Sequence, residues 1–367
     1  MRRILENRTF KFWLLIGLPL LAISAAQLLL PGYYMRLVKL FGINVILVAS
    51  LNLTNGFTGV FSLGHAGFMA IGAYISAMLT VSVQDKASMM PDLPAWLAGI
   101  SLPLPMVLPL AGLGALAVAF VIGFPVLRFK GHYLSVATLG LLVIIKAVLE
   151  NNGGYTNGPR GITGIPAYTG TLLILVVMVM TLYFLHRLTR SAWGRSMVAV
   201  RDDMTAAASL GVNPARSRLL AFCVSAFFAG VGGALWAHLM QVIAPQFFYF
   251  NQSFLLVETS IIGGMFSLSG AIIGSLIMTF VPEFLSALEG GMTLFTLTIP
   301  PLYGLAQLIL SAALVALIIL RPQGLMGYRE YIVPALFDKR TYRAAFEKAG
   351  YRELAGLIRE RMKPRAR

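Results

Sequence analysis

The chain runs repeatedly for about twenty residues without a charged side chain, and this feature most constrains its fold. The first such run, residues 12–30, is nineteen residues long and uncharged. A helix needs about 20 apolar residues to cross the hydrocarbon core of a bilayer. Apolar residues make up 58% of the sequence and charged residues only 12%, whereas an average soluble protein has about 25% charged residues. The pattern predicts an all-α fold, a polytopic bundle of transmembrane helices.

Hydropathy divides the chain into about ten predicted spans. The run at 12–30 has no small-residue cleavage site before Pro31, so we interpret it as a retained transmembrane helix and not as a signal peptide. The run at 95–127 is too long for one straight helix, and we expect Pro103, Pro105 and Pro109 to break it, so that part lies along the outer surface. The predicted spans are 12–30, 37–58, 66–83, 95–127, 133–149, 171–188, 217–240, 253–264, 270–286 and 300–320.

The net charge of +15 comes mostly from Lys and Arg that flank the apolar runs. A nucleic-acid-binding protein clusters its basic residues on a polar surface, so this placement argues against a nucleic-acid partner. With the N-terminus inside, the predicted cytoplasmic segments hold 24 Lys and Arg and the outer segments hold 4. This asymmetry predicts that both termini are cytoplasmic.

Sequence motifs for metal binding or for catalysis are missing. The single cysteine, Cys223, rules out an intramolecular disulfide and a multi-cysteine metal site. Neither a His-Glu-x-x-His pattern nor a Gly-x-x-x-x-Gly-Lys-Ser/Thr phosphate loop occurs in the sequence. We therefore expect no catalytic residue, no metal and no cofactor on this chain, and an intramembrane enzyme has no evident catalytic cluster.

Two short stretches, 205 residues apart, resemble each other. Gly-Val-Phe-Ser-Leu-Gly occupies 59–64 and Gly-Met-Phe-Ser-Leu-Ser occupies 264–269, and each interrupts an apolar region. Glycine-broken segments at matching places in two halves indicate a transport pathway, because a broken helix exposes backbone groups that must line a cavity or be buried. The alternative is that small residues merely allow close helix packing. The candidate pathway residues are Ser62, Gly64, His65, Glu258, Gly263, Gly264 and Ser267.

Two of these candidates are ionisable, and each has a structural alternative. An acid within a span is costly and therefore a functional candidate by default, so Glu258 contacts substrate or pairs with Lys146. Glu283 follows Pro282 near a span end, and we interpret it as a solvated boundary residue. His65 either lines the pathway or is a hydrogen-bonded structural histidine.

A polar loop at 189–216 contains a predicted short helix. Asp202 or Asp203 provides its N-cap, the alanines that follow favour helix, and Gly211 ends it. A lone helix this short is unstable in water, so it needs a partner surface. We predict a cytoplasmic coupling helix that contacts another subunit; a helix lying flat on the membrane is the alternative.

At this loop the sequence resembles a known family. The Ala206-Ala207-x-x-x-Gly211 core is similar to the cytoplasmic loop by which permeases of ABC importers dock onto their ATPases, and the closer resemblance is to LivM-type permeases of branched-chain amino acid importers. An acid is usual in the family where Met204 stands, and an apolar residue where Glu258 stands. The resemblance covers roughly 35–327, and its blocks are 59–74, 131–140, 158–166, 201–233, 262–264 and 321–325.

The resemblance implies a permease subunit of a branched-chain amino acid importer in the cytoplasmic (inner) membrane of a bacterium. Its implied partners are a second, LivH-like permease, two cytoplasmic ATPase subunits that bind ATP, and an extracytoplasmic substrate-binding protein. ATP hydrolysis then drives alternating access through the loop. The residues implied to couple this chain to the ATPase are Gly194, Arg195, Arg201, Asp202, Asp203, Ala206, Ala207 and Gly211.

Two rivals and one further segment stay open. A urea or short-amide permease of the same family has similar motifs, and a stand-alone secondary transporter would couple ions through Glu258 or Glu283. The permease domain is placed at 1–327 and a basic tail at 328–367. Apolar residues at helical spacing in the tail predict an amphipathic helix on anionic membrane lipid, with contact to an ATPase as the alternative.

Overall fold

A computed structural model describes residues 32–129, 131–289, 293–294, 297–298, 304–321, 323–327 and 330. The first predicted span, 12–30, and nearly all of the basic tail lie outside the described residues. Most of the described chain is helical, as predicted, although one pair of two-residue antiparallel strands also occurs, with Thr293 opposite Thr298.

The elements follow one another along the chain with few long connections. The helix Gly32–Asn52 continues into a π-helical turn at Leu53–Phe57. Short 3-10 turns lie at Gly158–Arg160 and Pro245–Phe248. In chain order the helices and strands are α1 Gly32–Asn52, α2 His65–Thr80, α3 Val83–Met89, α4 Ala95–Ala98, α5 Leu104–Val126, α6 His132–Asn151, α7 Gly153–Thr156, α8 Thr171–Arg190, α9 Ala192–Asp202, α10 Met204–Ser209, α11 Pro214–Met240, α12 Phe250–Gly263, α13 Leu268–Glu289, β1 Thr293–Leu294, β2 Leu297–Thr298 and α14 Leu305–Leu320.

Six helices in the described part of the chain are long and apolar enough to cross a membrane. Two shorter apolar helices, His65–Thr80 and Leu308–Leu317, add to them. The helical bundle is therefore polytopic, while the count of about ten spans stays a prediction. The six long helices are Gly32–Phe57, Leu104–Val126, His132–Asn151, Thr171–Arg190, Pro214–Met240 and Leu268–Ser286.

The apolar run 95–127 is broken, but not at every predicted proline. The helix α4 ends at Ala98, and α5 begins at Leu104 after Pro103, so the break lies between these helices. Pro105 is in the first turn of α5, where its missing N–H is not needed. The predicted break at Pro109 is wrong, because this proline lies inside α5. A transmembrane helix that packs against its neighbours can continue through a proline, although one backbone hydrogen bond is lost there.

The core is formed where α11 packs between α1, α2 and α5. A Cβ atom added at Gly72 of α2 would overlap the backbone of Gly230 in α11, and one at Gly233 would overlap the carbonyl of Met69. The glycines therefore let the two helices approach backbone to backbone, which is how membrane helices gain van der Waals contact. Cys223 of α11 is buried in this packing.

The helices α8 and α11 separate two ends of the bundle. We call the end that carries residues 191–213 the loop end, and the end that carries 152–169 the opposite end. The segment 152–169 is fixed at its end, because Ile162 and Ile243 exchange two backbone hydrogen bonds at 2.8 and 2.9 Å. His238 Nδ1 also donates to the carbonyl of Pro166 at 2.7 Å, and His238 Nε2 therefore accepts from Ser76 at 2.8 Å.

Candidate functional site

The turn that precedes the first of the two similar stretches lies against the second stretch in the structure. We call 53–64, which follows α1, the first broken segment, and 264–267, between α12 and α13, the second broken segment. A Cβ atom added at Gly56 would overlap the carbonyl of Met265, so the two backbones are in contact at this point. The glycine-broken segments therefore form one site, made from both halves of the chain.

Asn52, the last residue of α1, joins the two segments by hydrogen bonds. Its Nδ2 donates to the carbonyl of Ser267 at 3.0 Å and to that of Gly264 at 3.4 Å. Its Oδ1 accepts from the hydroxyl of Ser260 at 2.5 Å. Asn52 is fully buried. Because an unpaired carbonyl at this depth costs free energy, one amide side chain here satisfies backbone groups that the break in the helix releases.

Hydrogen bonds from a polar side chain of its own hold the first broken segment in a turn. Asn55 Oδ1 accepts from the backbone N–H of Ser62 at 2.9 Å, and Asn55 Nδ2 donates to the Ser62 carbonyl at 3.4 Å. Gly59 has a φ of 69°, a conformation that favours glycine. Gly64 lies against α6, where an added Cβ would be 2.7 Å from the carbonyl of Thr138. The segment is thus an ordered turn, and Ser62 and Gly64 are both buried within it.

The second broken segment is closed by the chain that follows α14. Gly264 has a φ of 113°, and Ser267 Oγ accepts from the N–H of Gly270 at 2.7 Å, which caps the start of α13. The backbone N–H of Leu325 donates to the carbonyl of Ile262, and that of Met326 to the carbonyl of Gly263. The loop after α14 therefore supplies hydrogen-bond donors to the carbonyls at the end of α12.

Glu330 caps the start of α13 from further along the chain. Its carboxylate accepts from the backbone N–H of Leu268 and from the hydroxyl of Ser269, the latter at 3.0 Å. Burial raises the pKa of the Glu330 carboxyl above its usual range, while the hydrogen bonds from Leu268 and Ser269 and the charge of Arg190 act in the opposite direction. The carboxylate lies at the positive end of a helix, which favours its charged form.

The loop at 189–216 contains two helices, α9 and α10, where one was predicted. Asp203 caps α10: its Oδ1 accepts from the N–H groups of Thr205 at 2.8 Å and Ala206 at 3.0 Å. Gly211, with a φ of 84°, follows the end of α10, so both predicted helix boundaries are confirmed. Ala207 is buried against the bundle, whereas Ala206 is exposed and Leu210 has 84% of its surface exposed.

Arg201, at the end of α9, connects this loop with both broken segments. Its Nη1 donates to the carbonyl of Gly56 at 3.2 Å, and its guanidinium lies 5.3 Å from the ring centroid of Phe266. Asp202 accepts from Nε and Nη2 of Arg201 at 2.9 and 2.8 Å. The loop, the first broken segment and the second broken segment therefore meet at one arginine.

The chain shows clear similarity to known transport proteins. A family model described as the permease component of the branched-chain amino acid transport system matches residues 33–319. The chain belongs to this permease family. The high-affinity branched-chain amino acid permease LivM of Escherichia coli K12 is 32% identical over 318 residues, which cover 77% of this chain and 68% of LivM. The autoinducer 2 import permease LsrC of Salmonella paratyphi B is 28% identical over 239 residues, which cover 60% of this chain and 68% of LsrC.

Family membership confirms the resemblance that the sequence motifs indicated. LivM of Salmonella typhimurium is also 32% identical over 318 residues. No solved structure matches the chain. This member of the branched-chain amino acid permease family is a transport subunit of the ABC type, a multi-pass protein of the inner membrane that works with other subunits.

Within this permease the ionisable candidates differ in their surroundings. His65 is buried, and its Nε2 is 3.1 Å from the hydroxyl of Ser50, a contact between α1 and α2 that favours the structural alternative. Glu258 is half-buried in α12. The alternative that Glu258 pairs with Lys146 is wrong, because no ion pair joins them in the described part of the chain; Lys146 Nζ instead lies 3.3 Å from Glu150 Oε1, one helical turn along α6.

The remaining residues predicted in the loop of this permease have local contacts. Gly194 is buried, and a Cβ atom there would overlap the carbonyl of Thr189. Arg195 is exposed and donates to the carbonyl of Arg190 at 3.2 Å. Asp202 is exposed apart from its ion pair with Arg201. These residues shape the loop, but the structure does not bring Gly194 or Arg195 to the broken segments as it brings Arg201.

Two residues of the site were missed by the sequence analysis, Asn52 and Glu330. Asn52 stands within the predicted span 37–58, seven residues before the glycine-broken stretch at 59–64, and an amide inside an apolar span is the signal that could have been used. Glu330 lies beyond the family blocks, and nothing local connects it with α13. Within the described ranges, no group of three or more His, Cys, Asp or Glu side chains is arranged to hold a metal ion.

Proposed function

We propose that this chain is the permease subunit of an importer that carries leucine, isoleucine and valine across the inner membrane of a bacterium. The observation that carries the proposal is the 32% identity to LivM over 77% of the chain. The subunit has about ten spans and both termini in the cytoplasm, as the distribution of Lys and Arg predicts. A second, LivH-like permease completes the pathway.

The two broken segments line the translocation pathway in this proposal. Support comes from their backbone contact at Gly56 and Met265 and from the bonds of Asn52 to Gly264 and Ser267. Where two interrupted helices meet, the pathway between them can open without breaking a continuous helix. Irregular backbone of this kind is tolerated at membrane depth where it is buried or lines a cavity.

The ATP-driven movement reaches this permease through α10, which docks onto one of two cytoplasmic ATPase subunits. The sequence contains no phosphate loop, so ATP is bound by these partners and not by this chain. Support for docking comes from the exposure of Ala206 and of Leu210, an apolar side chain with 84% of its surface uncovered at the end of a six-residue helix. A helix of this length is stabilised by contacts outside itself.

A substrate-binding protein delivers the amino acid at the opposite end of the bundle. The segment 152–169 offers a rigid surface there, because the Ile162–Ile243 backbone pair and the bond between His238 and Pro166 hold it in place. A surface that is ordered before binding loses less conformational entropy when a partner docks.

Uptake by the purified assembly tests this function. The permease pair, the ATPases and the binding protein are reconstituted in proteoliposomes with ATP on the ATPase side, and labelled leucine is supplied on the other side. We expect leucine to accumulate, unlabelled isoleucine and valine to compete with it, and urea to have no effect. Accumulation of labelled urea or a short amide, with no uptake of leucine, would instead show that the permease serves the rival substrate class.

A further inference from the structure

Arg201 occupies a position that connects three parts of the permease. It lies in the last turn of α9, and only Asp202 and Asp203 separate it from α10. Its guanidinium contacts the carbonyl of Gly56 in the first broken segment and the ring of Phe266 in the second. The sequence separation between Arg201 and Gly56 is 145 residues, so this contact is made by tertiary structure and not by the local chain.

The surroundings hold the Arg201 side chain in one arrangement. Its stem lies against Gly59, where an added Cβ atom would be 2.9 Å from Arg201 Cγ. Asp202 takes Nε and Nη2, which leaves Nη1 directed at the Gly56 carbonyl. Only 18% of the Arg201 side chain is exposed. A planar guanidinium with five donors and an aromatic-binding face can serve a carboxylate, a carbonyl and a ring at once, which a lysine ammonium cannot.

Each of these contacts belongs to a part that must move if the permease is to open. The Gly56 carbonyl is in the π-helical turn at the end of α1, and Phe266 stands between α12 and α13. A shift of α9 that keeps the guanidinium bonded therefore moves both broken segments together. A shift that breaks the bonds leaves the Gly56 carbonyl without this donor in a partly buried site, which costs free energy.

We infer that Arg201 is the positioning residue that transmits the movement of the docked helix α10 to both broken segments at once. This inference rests on the proposed function, since it assumes that α10 is moved by an ATPase. It adds the route: energy passes from α10 through Arg201 to Gly56 and Phe266. Asp202 orients the arginine, and Gly59 provides the space in which its stem lies.

The test compares uptake with ATP hydrolysis in the reconstituted complex. Arg201→Gln removes the positive charge and the planar set of guanidinium N–H donors. Arg201→Lys keeps a cation near Phe266, but its ammonium cannot bond to Asp202 and to the Gly56 carbonyl in the same geometry. We expect leucine uptake per ATP hydrolysed to fall at least tenfold in Arg201→Gln and by a smaller factor in Arg201→Lys. Phe266→Leu keeps the apolar bulk and removes the ring, and we expect a fall of about threefold.

Arg128→Gln is the matched control. Arg128 also lies over a phenylalanine ring, 4.9 Å from the centroid of Phe124, but both residues are exposed and distant in sequence from the loop. Its uptake per ATP should equal that of the unchanged complex. An equal fall of uptake and hydrolysis in Arg201→Gln, with the ratio between them preserved, would show a structural role only and overturn the inference.

Two further outcomes keep the inference separate from the proposed function. If the unchanged complex takes up no leucine with ATP, the proposed function fails, whatever the variants do. If the unchanged complex is active and Arg201→Gln has a normal ratio, only the inference fails. Should Arg201→Gln not assemble with the ATPases, Phe266→Leu decides, because its side chain lies outside the docking loop: a lowered ratio supports the route and a normal ratio overturns it.

Discussion

Asn52 Nδ2 and the carbonyl of Ser267 are 3.0 Å apart, and this bond joins residues separated by 215 positions in the chain. It connects the end of α1 to the start of α13, across the site where the two broken segments meet. The same amide accepts from Ser260, so one side chain satisfies partners on both sides of the second break. Asn52 therefore links α1 with both helices that flank the second broken segment.

Replacement of Asn52 by alanine should destabilise the permease strongly. The variant removes the Asn52 donor from the carbonyls of Ser267 and Gly264, which keep only backbone bonds of 3.4 and 3.3 Å. It also leaves the Ser260 hydroxyl without its acceptor, at a total cost of about 2–3 kcal/mol in the free energy of unfolding. Thermal unfolding in detergent measures the effect. Asn44→Ala is the matched control, because Asn44 makes a single bond to Thr279 at 3.0 Å and should cost about 1 kcal/mol. Equal losses in the two variants would contradict the account.

Glu330 should make stability depend on pH in a defined direction. Burial raises the pKa of this carboxyl in the folded protein above its value in the unfolded chain. The folded state then binds more protons, so the contribution of Glu330 is fully present below the ordinary carboxyl range and is lost as pH rises through the raised pKa. We expect Glu330→Gln, which keeps an acceptor for Leu268, to lose less stability than the unchanged protein as the pH rises above the ordinary carboxyl range.

The comparison for Glu330 uses melting temperatures measured at steps of pH. Glu330→Ala is the second variant, because it removes the acceptor of the Leu268 N–H; it should be about 1 kcal/mol less stable than Glu330→Gln at every pH, since neither side chain titrates and only one of them caps the helix. A pH profile of Glu330→Gln that follows the unchanged protein would show that the carboxyl is not the titrating group.

Gly211 should be essential for binding of the ATPase. An aspartate at this position places a negative charge next to the carbonyl end of α10, where the helix dipole disfavours it, on an exposed surface with no neighbour within 4 Å. We expect Gly211→Asp to abolish co-purification of the ATPase while membrane insertion is kept. Gly211→Asn is the matched control, since asparagine has the same size, no charge and tolerates the φ of 84°. Wild-type ATPase binding by Gly211→Asp would refute the docking site.

His238 should control the order of the segment 152–169. His238→Ala removes the bond to the Pro166 carbonyl and the bond to Ser76, while the Ile162–Ile243 pair stays. We expect limited proteolysis to cut within 152–169 several times faster than in the unchanged protein. An unaltered cleavage rate would mean that the backbone bonds of the segment, such as those of Ile162 to Ile243 and of Ile165 to Gln241, fix it without His238.

Much of the helical architecture follows from the sequence, because hydropathy reports directly on spans. The runs 133–149 and 171–188 coincide closely with α6 and α8. The predicted helix break at Pro109 does not occur, because packing against neighbouring helices retains a helix that the proline alone would break. The ion pair of Lys146 with Glu150 was available from their spacing of four residues, but the assignment to Glu258 overlooked it.

The candidate site was predicted only in outline. The repeated glycine pattern indicated both broken segments, and the caps at Asp203 and Gly211 indicated α10. Contacts between distant positions, such as Arg201 with Gly56 or Asn52 with Ser267, depend on how the helices pack. A lone polar residue in one sequence identifies no partner 145 or 215 positions away, so these contacts needed the structure.

The energy source of uptake distinguishes an ATP-driven permease subunit from a secondary transporter. Labelled leucine uptake is measured in proteoliposomes with the complete assembly and with this chain alone, each with internal ATP or with an ion gradient, for the unchanged protein and for Glu258→Gln. We expect uptake only by the assembly with ATP and binding protein, and ion gradients should drive none. Uptake by this chain alone on an ion gradient, lost in Glu258→Gln, would contradict the account and indicate a secondary transporter.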